Sequence, residues 1–264
     1  MSVKKNISEK LNRLYNYLID PKVTRRNIIF ISIFFPIMLI IGYVVALSFG
    51  GSEIPPGAYN IIDNYISDMG SHRYTPIPKF LDDSVMITAI LLVPPSFYIK
   101  HIIDLKSEQL ESLNVPKSYS TIVLIMMLIG LFGIFSSGFI SEDVAISLYP
   151  VTTSAFDLHD ILSTVQFIGL ASAGFFIGII LVRYPSGILE LGAYENKSKI
   201  IPILLGIIMI FLTPILTIFY LIELPPSAPF WEWMLFFSLF GWILAIGIIV
   251  LHQIKKEELK QEKK

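Results

Sequence analysis

Two groups of polar residues stand where chemistry could be done. Asp82 and Asp83 open one uncharged apolar run, and Asp157, His159 and Asp160 open another. Carboxylates and an imidazole at one level can serve as general acid and base, or as ligands of a divalent cation. Asp82, His159 and Asp160 are therefore both the catalytic and the metal-ligand candidates. The competing expectation is a structural hydrogen-bond cluster. Acids in the first turn of a helix satisfy exposed N–H groups and complement the dipole, which accounts for Asp157 followed by Asp160. It does not account for His159, which gains nothing at a helix N-terminus. His159, Ser163 and Gln166 recur at i, i+4 and i+7, so one helical face stays polar for two turns. Such a face in an apolar span turns toward a partner or a wet cavity. Ser163 and Gln166, with Asp68 and Asp83, are the candidates for binding a substrate or a lipid headgroup. The chain contains no HExxH, GxSxG, Walker loop or GxGxxG motif, and its lack of Cys removes thiolate chemistry. No cofactor is implied.

The elements that must position these groups follow from composition. Of 264 residues, 54% are apolar and only 16% charged, against about a quarter charged in a soluble domain. The apolar residues gather in runs at 27–49, 84–99 (reaching spanning length by including 80–83), 118–140, 161–182, 200–222 and 233–251. A hydrocarbon core of about 30 Å takes roughly 20 helical residues, and backbone in lipid must satisfy its own hydrogen bonds. The runs do not alternate as barrel strands would. The expected fold is all-α, a six-transmembrane-helix bundle with a long first outer loop. Segments on alternate sides carry 18 and 2 of the Lys and Arg residues, so both termini are expected in the cytoplasm. Trp231 and Trp233 then fall in the outer headgroup zone. The first run is too long for a signal-peptide core and reads as a retained anchor.

Residues 1–26 form a cytoplasmic basic amphipathic segment, 27–252 the bundle and 253–264 a charged cytoplasmic tail. Ile7, Leu11, Leu14 and Leu18 recur at helical spacing beside Lys4, Lys5, Lys10 and Arg13, and Asp20-Pro21 should stop that helix. It either lies on the anionic inner leaflet or stands solvated. Asn6 and Asn196 head sequons that face the cytoplasm and read as chance matches. Gly174 and Gly178, Gly169 with Ala173, and Gly130 with Gly133 are small-residue steps suited to close helix packing. Pro36, Pro94, Pro95 and Pro214 lie within spans, where each frees a carbonyl. In the outer loop, Ile61, Ile62, Tyr65, Ile66 and Met69 share a helical face between Pro55-Pro56-Gly57 and Gly70. That spacing predicts a short helix over the bundle mouth, either a lid or a seal.

The net charge of −1 is a cancellation across this threading, positive inside and negative outside. It excludes a basic nucleic-acid binder, and the negative half should attract cations or positively charged headgroups. Membrane lipids are the expected partners.

Several short stretches carry a family resemblance: Asn64-Tyr65-Ile66-Ser67-Asp68-Met69-Gly70, Leu81-Asp82 with Ser84, Ala89 and Pro94, Gly133-Ile134-Phe135 followed by Glu142-Asp143, and Leu158-His159-Asp160. On these, residues 27–252 resemble domain-of-unknown-function family 998, six-helix membrane proteins with no agreed activity. That family is distantly similar to the Frag, DRAM and Sfk group, some of which are linked to lipid remodelling or lipid asymmetry. Asp82 stands where the family usually has Asn, and Ala155 where many members have a second His. The resemblance implies a non-enzymatic lipid-facing or regulatory membrane component with an acidic outer-face site. The alternative is a membrane-embedded lipid-modifying enzyme using Asp82, His159 and Asp160. A small transporter ranks third, because no charge lies in the middle of any run.

Overall fold

The structure, a computed structural model, describes residues 2–109, 116–148, 158–185 and 200–262. Asp157, Ala155 and Asn196 lie outside the described residues. Eight α-helices are described: α1 (Ser2–Leu18), α2 (Pro21–Phe49), α3 (Lys79–Gln109), α4 (Lys117–Phe139), α5 (Glu142–Leu148), α6 (Leu158–Arg183), α7 (Ile200–Leu221) and α8 (Ala228–Glu262). Six of them, α2, α3, α4, α6, α7 and α8, are long and apolar enough to cross a membrane. The protein is an all-α, multi-pass membrane protein by this architecture.

Sequence neighbours pack on one another around a ring, α2 on α3, α3 on α4, α4 on α6, α6 on α7 and α7 on α8, and α8 closes back onto α2. Without a hydrophobic drive between helices in lipid, close backbone approach holds such a ring, and the glycines mark where. A Cβ added at Gly169 would meet Gly130 N at 2.5 Å, and one at Gly178 would meet Gly206 O at 2.7 Å. Gly174, on the same face of α6 as Gly178, instead receives the ring of Trp242. The small residues thus seat α6 against three different helices. Large apolar residues elsewhere, such as Ile33, Ile40, Leu204 and Ile248, face outward, as a lipid-facing surface requires.

One proline is compensated from a neighbouring helix. Pro95 cannot bond back to Leu91, and the freed Leu91 carbonyl accepts Asn27 Nδ2–H at 2.9 Å. Asp20-Pro21 does more than end α1. The Asp20 carboxylate accepts the N–H groups of Lys22 and Val23 and Pro21 occupies the first turn, so the pair also starts α2. At the other end α8 continues as helix into the charged tail, where Glu258 pairs with Arg25 of α2 at 3.2 Å.

Two expectations change. The loop between α2 and α3 forms only a short 3₁₀ turn at Ser67–Gly70, not a helix over 61–69. Asn60 explains this: its Oδ1 accepts the N–H groups of Ile62 and Asp63, and such local bonds compete with helix. The apolar side chains still turn inward, with Tyr59, Ile66 and Met69 buried, while Ile62 stays exposed. Trp233 is not a headgroup anchor either. It is buried under the loop, and its Nε1–H donates to Asn64 O at 3.0 Å.

Candidate functional site

The loop 50–78 is fastened across one end of the ring at two places. On one side, Asp143 of α5 accepts Ser71 Oγ–H at 2.6 Å and His72 N–H at 2.8 Å. Arg73 beside it spans Glu53 (2.7 Å) and Glu142 (2.9 Å), so its charge is already paired with two carboxylates. On the other side, Glu232 of α8 accepts Ile66 N–H at 2.8 Å, and Ser227 Oγ–H donates to Ile62 O. Tyr59 OH ties the loop to itself through Tyr65 O at 2.5 Å.

Beneath and beside this strap lies a cleft of about 380 Å³. Five carboxylates stand in its wall: Asp68, Glu142, Asp160, Glu223 and Glu232. Tyr65, Tyr74 and Tyr220 add aromatic faces, and no Lys or Arg is part of the lining among the described residues. Glu223 sits in the left-handed region at φ 51, a conformation that costs a non-glycine residue about 1 kcal/mol or more. Asp68 is buried and accepts Tyr65 N–H at 2.9 Å. Burial, reinforced by the charge of Glu142, pushes its carboxyl up to about 7.

A smaller cavity of about 60 Å³ adjoins the cleft, the two sharing Ser67, His159, Ser163 and Glu232. Asp82, Gln166, Phe35 and Phe236 complete much of its wall. Gly70 lies against the Asp82 carboxylate, where any larger residue would collide with it. His159 is only 7% exposed. Its Nδ1 lies 2.8 Å from Ile140 O, and a carbonyl can only accept, so Nδ1 carries the proton. In the neutral ring Nε2 is then an acceptor, and it has no partner among the described residues. Gln166 is held by Ser137, whose hydroxyl donates to its Oε1 at 3.2 Å.

The candidates from the sequence therefore separate. His159, Ser163 and Gln166 do share one inward face and line the inner cavity together with Asp82. Asp160 is exposed and lines only the outer cleft, with Asp68. Asp83 is exposed and lies outside both. Asp82, His159 and Asp160 do not converge on one ion: among the described residues, no three His, Asp or Glu side chains are placed to hold a metal. The residue missed by the sequence reading is Glu232, buried and common to both cavities. Its signal was a lone carboxylate between two Trp at the head of an apolar run. No family profile, curated protein or solved structure matches the chain.

Proposed function

We propose that this is a non-enzymatic, lipid-facing membrane component that binds the cationic part of a membrane amphiphile in the acidic cleft, with that cleft on the outer face of a cell membrane. The observation that carries the reading is the cleft lining, which among the described residues holds five carboxylates and three tyrosines and no Lys or Arg. Carboxylates attract a cation, tyrosine faces add cation–π contact, and the nearby guanidinium of Arg73 is already paired with Glu53 and Glu142. A bare anionic head would find no counter-charge there. The excess of Lys and Arg at the opposite end supports the outward placement of the cleft, and the resemblance to family 998 is in keeping with a lipid-facing role.

Native mass spectrometry of the detergent-purified protein tests binding. Cationic amphiphiles should be enriched over their share of the membrane extract, and the paired change Asp160→Asn with Glu223→Gln should reduce that enrichment. Selective retention of anionic lipids by the unaltered protein would overturn the reading. For orientation, a single Cys at Ser52 should react with an impermeant maleimide in intact cells, and one at Glu262 only after lysis.

A catalytic reading draws on one observation, the unpartnered His159 Nε2 in the same cavity as Asp82. It requires turnover of a lipid that His159→Ala abolishes while thermal stability in detergent is unchanged.

A further inference from the structure

Further cavities adjoin the inner one below His159. The inner cavity shares Phe35, Val85, Gln166 and Phe236 with a third cavity of about 60 Å³. That one shares Ile31, Leu92 and Ile243 with a fourth, of about 30 Å³. A single stripe of α8 lines the whole series, from Glu232 through Phe236, Leu239 and Ile243 to Val250. The 18 helical steps between Glu232 and Val250 rise about 27 Å, close to the full hydrocarbon thickness. The series is wide and acidic at the cleft, and its later members are small and mostly apolar. Three residues of the series carry a buried polar atom with no partner among the described residues: His159 (Nε2), Thr88 (Oγ1) and Trp242 (Nε1).

We propose that the ligand is a single-chain amphiphile with an N–H-bearing ammonium head, the head donating to His159 Nε2 and the chain threaded down the bundle interior through these cavities. The inference rests on the cation-binding reading above and narrows it. The head must carry N–H because Nε2 offers a lone pair, which a quaternary ammonium cannot satisfy. It is free of an adjoining phosphate because no guanidinium or ammonium lines the site among the described residues. The chain is single because cavities of 30 to 60 Å³ on one file leave no room for two side by side.

The probe is a long-chain primary alkylamine carrying a diazirine at the end of its chain, photolysed on the full-length protein and mapped by peptide mass spectrometry. Expected are adducts on interior residues such as Leu92 and Ile243, suppressed by unlabelled alkylamine. The trimethylammonium analogue should compete roughly tenfold or more less well, the loss of a charged hydrogen bond. Val85→Phe, which fills the neck between the inner and third cavities, should move the adducts to residues above it. Saturable labelling confined to lipid-facing Ile33, Ile40 and Ile248, or equal competition by the quaternary analogue, overturns the inference and leaves the cation-binding cleft standing. Absence of saturable labelling overturns both. The labelling pattern of the unaltered protein decides even where a variant fails to fold.

Discussion

Replacing Gly133 by Ala should break the geometry of the site from outside it. Gly133 of α4 faces Gln166 of α6, and a Cβ there would lie 2.6 Å from Gln166 Cα, about 1 Å inside ordinary carbon contact. The obstacle is backbone, so α4 and α6 must part by about that distance. Two hydrogen bonds cross the same seam, Ser137 to Gln166 at 3.2 Å and His159 to Ile140 at 2.8 Å. A 1 Å separation takes both beyond bonding range. Overpacking costs about 1–3 kcal/mol and each of the two lost bonds about 0.5–1.5 kcal/mol, so a loss of about 2–6 kcal/mol is expected. Gly241→Ala is the internal control. Gly241 is exposed on α8 with nothing near its missing Cβ, so alanine there should be neutral or stabilise by up to about 1 kcal/mol through helix propensity. Thermal unfolding in one detergent compares the two, with a gap of roughly 5–15 °C expected. Equal midpoints for the two variants would refute the close α4–α6 seam, and with it the placement of His159.

Three further outcomes are expected. The Asp68 carboxyl titrates near 7 in the folded chain, above its ordinary 3.8. The folded state then holds the extra proton between about pH 4 and 7, so stability falls as pH rises through that window, by about 4 kcal/mol at most. Asp68→Asn should flatten that part of the melting profile, and an unchanged slope would count against the burial of Asp68. Glu223→Gly should raise the thermal midpoint by relieving about 1 kcal/mol of left-handed strain while weakening cation binding, read by competition with an alkylamine. Asn27→Leu should cost about 1–3 kcal/mol by orphaning the Leu91 carbonyl that Pro95 leaves free. An accompanying Pro95→Ala should recover part of that loss in the same melting assay.

The six spans were legible because apolar runs of this length admit one solution in lipid, a helix that bonds to itself. The inward face of His159, Ser163 and Gln166 was legible for a related reason: helical period alone puts i, i+4 and i+7 together. Neither argument reaches across helices. Asp82 meets that face and Asp160 does not, although they looked equivalent in the sequence. Asp160 directly follows His159, so at about 100° per residue its side chain leaves the face that His159 shares with the inner cavity.

The loop shows where local pattern misleads. Its apolar spacing matched a helix, yet Asn60 folded the backbone otherwise, and burial of Tyr59, Ile66 and Met69 was achieved without one. Sequence by itself determined the architecture, the charge asymmetry between the two ends and the polar stripe on α6, because each depends on runs or periods within one segment. Tertiary structure alone decided that Glu232 joins that stripe, that Arg73 is paired with two carboxylates, and that further small cavities adjoin the one beside His159. Those facts depend on which residues distant helices bring face to face, and close glycine seams between backbones set that register.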